Sequence, residues 1–219
     1  GTYRYMGKDH QCECEAQIAL RARYLVANIG EQYQRLDWDE WNGCEATKGT
    51  VDLYLDNWEQ FFRQGMGLEF YSSALGTGKT FAATHIGKEL IKQSQSVYFI
   101  PFVEMVAAFD RQDSDYIANR VRESGFVILD EVIPPVSAAQ QSFFATQLEA
   151  LIRHRTNNNL PTIITTNMDA ETLNAAYPRT YSLLSAKSVR QEVAGTDRRQ
   201  QIGFKEMEII ANGETRPIT

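Results

Sequence analysis

The sequence predicts an α/β fold with a five-stranded parallel sheet flanked by helices, and three observations carry that expectation. Between about residues 67 and 194, short apolar runs alternate with segments of helical periodicity. A glycine-rich turn, "ALGTGKT", follows the first of those runs. Two later runs deliver polar residues at their C-terminal ends, Asp130 and Glu131 after "GFVIL" and Asn167 after "PTIITT".

Element by element, residues 1–14 read as irregular. From about Glu13 the chain reads as helix, with Ile18, Ala22, Leu25 and Ile29 at helical spacing and Gly30 as the stop. "QYQRLDWDEWNG" is an aromatic, acidic connector. A second helix is expected from near Thr50 to Gly65, with Val51, Leu55, Trp58 and Phe62 on one stripe. "LEFYS" is the first core strand, and Thr80 to about Gln93 is a helix with Ala82, Ile86 and Leu90 four residues apart. "SVYFI" is a strand and "VEMVAAF" a helix, and a polar stretch containing "SDYIANRVRE" leads to "GFVILDE". Ser137 and Gln140 have capping-box spacing ahead of a helix carrying Phe144, Leu148, Leu151 and Ile152. "LPTIITTNM" is a buried strand, followed by helix to about Ala186 and a last strand, "SVRQEVA". The tail offers one possible strand, "EMEIIA".

Length and composition bound the function. The 219 residues suit one domain with at most a small appendage, and 43% apolar content is ordinary for a full core. The chain starts at Gly1 rather than Met and is expected to be a fragment or a processed form. No apolar run approaches the ~20 residues that span a bilayer, and no signal peptide opens the chain, so no membrane partner is expected. A net charge of −6 argues against a sequence-independent nucleic-acid coat protein, without excluding a basic channel formed on assembly. Three cysteines, Cys12, Cys14 and Cys44, are too few for a disulfide scaffold and fit a reducing cytosol. Cys12 and Cys14, beside His10, make half of a zinc site whose remaining ligands would come from elsewhere; a solvated turn is the alternative.

The glycine-rich turn has the chemistry of a phosphate loop. Strand, turn and helix in that order point backbone N–H groups at an anion. Leu75, Gly76, Thr77, Gly78, Lys79, Thr80 and Phe81 are the expected nucleotide contacts, with Gly76 and Gly78 letting backbone approach phosphate. Lys79 is placed between the β- and γ-phosphates, and the Thr80 hydroxyl on Mg²⁺. Position 73, where the usual pattern has its first glycine, holds a serine that would make the entry turn with some strain. Asp130 is expected to hold the Mg²⁺ shell and Glu131 to orient the attacking water. Asn167 is expected to hydrogen-bond the γ-phosphate or the water, a simple turn asparagine being the alternative. The expected cofactors are therefore ATP and Mg²⁺.

With the loop, "VILDE" and "TTN" in place, nearly the whole chain resembles an AAA+ ATPase of the DnaC-type bacterial and phage helicase loaders, relatives of the IstB-type transposition helper ATPases. "GTYRYMGKDHQCEC" is similar to the second half of a family Cys cluster, so zinc is implied only if further ligands lie upstream. "GTDRR" is similar to the family's G-x-D-x-R signature, which makes Arg199 the sensor-2 arginine. The resemblance implies an arginine finger before the last strand. Leu183 stands at that place, Arg179 one turn earlier is the nearest replacement, and Arg153 and Arg155 are others. The chain after Asn167 leaves room for only a reduced helical lid or none.

Family loaders grip single-stranded DNA, and candidates for that contact are Phe109 with Arg111, and "RHRTNNN" from Arg153 to Asn159. Core packing explains Phe109 equally, and a solvated helix end explains the basic run. Trp38, Trp41 and Trp58 are expected in or beside the core, and His154 on the surface. The expected division is an N-terminal Cys-containing segment and linker helix over 1–49 and an ATPase domain over 50–219. The function implied is a slow, assembly-dependent ATPase of the bacterial or phage-infected cytoplasm. It would form oligomers on single-stranded DNA and deliver the replicative helicase. A transposition helper on duplex DNA, or a weakly hydrolysing ATP-binding regulator, are the alternatives.

Overall fold

The computed structural model describes residues 2–5, 8–11, 13–110, 115–197, 199, 203, 207–209, 211–213 and 217–219, with backbone alone for those before residue 15. The N-terminal residues are not irregular: β1 (Thr2–Tyr5) and β2 (Lys8–Gln11) pair antiparallel, Thr2 opposite Gln11. Thr and Tyr favour the extended chain.

In α1 (Glu13–Val26) the buried face is not the expected one. Ile18 and Leu25 are 68% and 55% exposed, whereas Leu20, Tyr24 and Ala27 turn inward. The aromatic ring buries more area than either aliphatic chain would, and its hydroxyl finds a partner in Thr219 O at 2.7 Å. The connector carries a short helix, α2 (Glu31–Gln34), and a 3-10 turn over Trp38–Glu40 that Asp37 caps by accepting from Asp39 N.

The next helix starts earlier than expected and is broken in two, α3 (Glu45–Asp56) and α4 (Trp58–Gln64). Asn57 leaves helical geometry at φ −122° and ψ 20°, and its side-chain amide donates to Leu53 O. Gly65, at φ 63°, closes α4 as a left-handed C-cap. The expected boundary between residues 49 and 50 falls within α3, and Tyr24, Ile29 and Trp41 share one apolar cluster with Val51, Ile86 and Phe126.

The core then alternates as predicted. It runs through β3 (Gly67–Tyr71), α5 (Lys79–Lys92), β4 (Val97–Pro101), α6 (Phe102–Asp110), α7 (Asp115–Glu123), β5 (Phe126–Val132) and α8 (Ala138–Asn157). β6 (Thr162–Thr166), α9 (Ala170–Ala176), α10 (Pro178–Lys187) and β7 (Ser188–Glu192) complete it. The polar stretch before β5 is helical because Ile117 and Val121, four apart, give α7 an inward stripe, while Asp115 and Arg122 sit at the ends that suit the helix dipole. At α8 the Ser137 hydroxyl accepts from Gln140 N, and the Gln140 side chain reaches back to Val136 N, one residue before the N-cap. Of the possible tail strand, residues 207–209 and 211 are described and are helical, as its Glu, Met and Ala composition favours.

The five core strands are all parallel, in the order β4-β5-β6-β3-β7. Phe126 and Ile128 of β5 join the apolar cluster on the α5 side, and Val127 and Leu129 the cluster on the α8 side. Burial on both faces is why this strand reads as an unbroken apolar run. The outer edge of β4 is covered where Phe99 N donates to Ala27 O and Asn28 Nδ2 donates to Phe99 O. Glu69 of β3 is buried and ion-paired to Arg190 of β7, whose guanidinium also lies 4.1 Å over the Tyr71 ring.

Arg155 is the largest fully buried side chain. It donates to Thr162 Oγ1 and to the carbonyls of Val121, Arg122, Ser124, Gly125 and Pro161, so it ties the entries of β5 and β6 to α8. A side chain so enclosed cannot reach a neighbouring subunit, which removes it from the candidate arginine fingers.

Candidate functional site

The site lies where β3, β5 and β6 end, the side on which open α/β sheets bind ligands. Leu68 and Phe70 anchor β3 in the core, and the chain leaves it through a turn into α5. Gly76 and Gly78 have φ of 67° and 101°, the left-handed region that disfavours side chains. A Cβ on Gly76 would lie 2.0 Å from Asp197 Oδ1, and one on Gly78 would lie 2.8 Å from the Trp41 ring. Both glycines are therefore required twice, by backbone angle and by what packs on them. Ser73 is not among the residues at positive φ, so a serine makes the entry turn without the expected strain.

Asp130 stands at the end of β5 with 9% of its surface exposed. Its Oδ1 accepts from Thr80 Oγ1 at 2.9 Å and from Thr165 Oγ1 at 2.6 Å. Burial raises its carboxyl from the ordinary value, and the two hydroxyl donors act the other way. Thr165 in turn accepts from Glu131 N at 2.8 Å, so one β6 hydroxyl holds both acidic residues. Glu131 itself has φ 59° at a register shift between Leu129 and Val132 in the β5–β6 pairing. The bulge turns its side chain outward into the cleft while its neighbours stay in the strand.

Lys79 opens α5 and donates to Ala74 O at 3.2 Å. Burial lowers its ammonium from the ordinary value; Asp130 opposes that shift and Arg199 adds to it. Asn167, just past β6, has a buried Oδ1 with no hydrogen-bond partner among the described residues, and the Thr77 hydroxyl is likewise unpaired among them. Buried polar atoms are rarely left so, and these two flank one loop. These groups open onto one cleft beside the loop. Leu75, Gly76, Thr77, Gly78, Lys79, Thr80, Phe81, Glu131, Asn167 and Arg199 all line it. Asp130 reaches it through the Thr80 hydroxyl.

Four lining residues escaped the sequence reading: Tyr33 and Leu36 form one wall from the connector, and Thr165 and Thr166 come from the end of β6. Asp197, the acidic residue of GTDRR, has its carboxylate against Gly76 while accepting from Arg199 N. The tryptophans, expected beside the core, do more. Trp41 covers Gly78, Trp38 stacks on Trp41 at 4.8 Å, and His85 stacks on Trp38 at 4.4 Å and 3°. Burial holds the His85 imidazole down at about 3, so it is neutral at ordinary pH. Thr165 and Thr166 had a visible signal, as hydroxyls directly before Asn167 in the same apolar strand.

Other candidates lie elsewhere. Arg179 is 80% exposed on α10, 3.6 Å from Glu149, and does not line the cleft. Leu183 packs on the α8-side core. Arg153 pairs with Glu149, and His154 lies 3.5 Å from Glu123. Phe109 is partly buried against the same core with the Arg122 guanidinium over its ring, and Arg111 lies outside the described residues. Cys12 and the Cys14 side chain also lie outside them. Among the described residues no group of three or more His, Cys, Asp or Glu could hold a metal ion. The Thr80–Asp130 pair still fits Mg²⁺, which keeps several waters and binds through one or two protein oxygens plus ligand phosphates. No helix among the described residues is long and apolar enough to cross a membrane.

No protein-family model and no curated protein sequence matches the chain. Solved structures do. The DnaC helicase loader aligns at TM-score 0.63 and 18% identity, over 75% of this chain and 100% of that one. A proposed primosome component from Streptococcus pyogenes serotype M3 aligns at 0.67 and 20%, over 84% and 99%. The replication initiator DnaA, bound to AMPPCP and single-stranded DNA, aligns at 0.60 and 15%, over 85% of this chain and 57% of that one. At these identities the likeness speaks for architecture, and the resemblance expected from the motifs holds at that level: this chain has the α/β fold of the AAA+ helicase loaders.

Proposed function

We propose that the chain is an ATP-switched helicase loader: it binds ATP and Mg²⁺ in this cleft, assembles on single-stranded DNA and helps deliver a replicative helicase. The observation that supports it most is the convergence of Lys79, Asp130, Glu131 and Asn167 on one glycine-rich loop. That loop lies within a fold shared with the DnaC helicase loader along that protein's entire compared chain.

In this reading the Gly76–Thr80 turn and Lys79 bind the phosphates, and Arg199 approaches them from the far side. Mg²⁺, when bound, neutralises charge developing on the transferred phosphoryl group. Thr80 and Asp130 hold it, Thr165 fixes Asp130, and Glu131, turned out by the bulge, orients the attacking water. Asn167, whose buried Oδ1 has no partner among the described residues, senses the γ-phosphate side. The segment before α3 packs as part of the ATPase domain, Tyr24, Ile29 and Trp41 sharing its apolar cluster with Val51 and Ile86. Arg179, exposed and outside its own cleft, is the residue that reaches a neighbour's site on assembly.

The test is fluorescence anisotropy of a labelled single-stranded oligonucleotide, with and without a non-hydrolysable ATP analogue, beside a duplex control and Lys79→Ala. Binding that requires both the analogue and Lys79 and prefers the single strand supports a loader. Equal or better duplex binding moves the reading to a transposition helper. No DNA binding in either nucleotide state removes both. A second reading, an ATP-binding regulator that scarcely hydrolyses, draws on Leu183 packing in the core where the loaders' arginine is expected. It gains if Glu131→Gln leaves an already negligible turnover unchanged.

A further inference from the structure

One hydroxyl in the cleft comes from neither the phosphate loop nor a strand end. Tyr33, in α2 of the connector, lines the cleft. Its phenol interacts with the Thr80 side chain, and Asp130 and Glu131 are near enough to act on it. The phenol therefore belongs to the end of the cleft where Thr80 and Asp130 hold Mg²⁺ in the reading above.

The rest of Tyr33 is fixed without that hydroxyl. Its N donates to Gly30 O at 2.9 Å, and its O accepts from Leu36 N at 3.4 Å and from Lys88 Nζ at 3.1 Å. Its ring packs on the apolar core, 6.1 Å from that of Phe99. A phenylalanine would make all of these contacts, so what the tyrosine adds is its polar tip.

The direction of the hydrogen bond follows from counting. A hydroxyl has one proton and two acceptor lone pairs. Thr80 donates its proton to Asp130 Oδ1, 2.9 Å away. Towards Tyr33 it is therefore the acceptor, and the phenol, protonated at neutral pH with an ordinary pKa of about 10, is the donor. One lone pair of Thr80 Oγ1 is then taken by the phenol and one is left for a metal. Asp130 Oδ1 also accepts from Thr165 Oγ1 at 2.6 Å. Hydroxyls from α2, α5 and β6 thus form one chain onto a single carboxylate oxygen. Mg²⁺ demands near-ideal octahedral geometry, so a misdirected ligand costs the metal more than it costs the phosphates alone.

We propose that Tyr33 is a positioning residue for the metal end of the cleft: its phenol donates to Thr80 Oγ1 and turns the remaining lone pair of that hydroxyl towards Mg²⁺. The inference rests on the cleft being a site for ATP with Mg²⁺. It makes the connector, which carries none of the motif residues, a working part of that site.

The experiment is calorimetric titration of the full chain with a non-hydrolysable ATP analogue, in Mg²⁺ and in EDTA. The parent, Tyr33→Phe, Thr80→Val and the double variant are compared. Tyr33→Phe keeps the ring on Phe99; it is expected to weaken binding in Mg²⁺ roughly fivefold, one neutral hydrogen bond's worth, and to leave binding in EDTA within about twofold. In the Thr80→Val background, where the acceptor is gone, Tyr33→Phe should cause no further loss, the non-additivity of two groups joined by one bond. Equal loss with and without Mg²⁺, or equal loss in both backgrounds, would assign the phenol to the general shape of the cleft and overturn the inference. Unchanged or tighter binding in Mg²⁺ overturns it while leaving the ATP reading intact. A parent chain that binds the analogue no better in Mg²⁺ than in EDTA has no metal end to position, and the inference falls. A parent chain that does not bind the analogue at all removes the ATP reading with it.

Discussion

Replacing Arg155 with Met should be among the most damaging substitutions outside the cleft. Met roughly fills the volume but donates nothing, so five backbone carbonyls and the Thr162 hydroxyl lose this donor at once, with Pro161 O keeping a further bond from Val127 N. Charge-assisted bonds of ~1.5–3 kcal/mol each would sum to ~9–18 kcal/mol over six. That exceeds the ~5–15 kcal/mol stability of a typical domain, so simple addition fails. Such bonds are not independent, and the Met also removes a buried charge. A buried acceptor left without a donor costs ~1–3 kcal/mol, so with about two of the six left unsatisfied after relaxation the expected loss is ~3–5 kcal/mol. With a urea m-value of ~3 kcal/mol/M at this chain length, the unfolding midpoint followed by circular dichroism should fall by ~1–1.7 M. A fall below ~0.3 M would refute the argument, because it would mean that the turn entering β5 and the turn entering β6 find other donors without Arg155.

Three further expectations follow from the cleft. Gly78→Ala puts a Cβ against Trp41 at a φ of 101°, so fluorescence titration should show loss of binding to an ATP analogue; the double variant with Trp41→Ala should recover little, since the backbone strain of ~1–3 kcal/mol remains. Asp130 has a carboxyl raised by burial, so the native state binds its proton more tightly than the unfolded state. Stability is therefore lost as pH rises from the ordinary carboxylate value through the raised one, and Asp130→Asn should melt at the same temperature as the parent or higher at neutral pH while ATP turnover collapses. His85 is the opposite case, with its native value depressed to about 3: the unfolded chain takes up a proton that the native one refuses, and stability falls as pH drops below about 6.5. His85→Phe keeps the stack on Trp38, and its urea midpoint should vary less between pH 7 and pH 4 than that of the parent.

Much of this protein was legible before any tertiary contact was known, and for local reasons. The β5 run is apolar at every position because both faces of a central parallel strand are buried, and Asp130 and Glu131 follow from where that run stops. Gly76 and Gly78 show in the sequence because a left-handed turn can be made by little else. The α5 stripe of Ala82, Ile86 and Leu90 is fully buried as its four-residue spacing predicted, while the burial of Thr84, His85 and Lys88 on the helix's other faces came only with the fold. Local patterns failed where two faces of an element are comparably apolar, as in α1, where the choice between the Ile18 and Tyr24 stripes depends on what packs against the helix.

What tertiary structure alone decided are the pairings between residues far apart in the chain. Nothing near Arg155 announces that its guanidinium will be a core bracket, and nothing near Lys88 or Tyr33 announces that the lysine will donate to that tyrosine's carbonyl. An arginine or lysine reads as surface charge until the fold closes carbonyls around it. Thr165 becomes the support of Asp130 only when β6 is laid beside β5 in register. Composition and periodicity report what a residue prefers, and the partner that satisfies a buried donor is chosen by the packing of the rest of the chain.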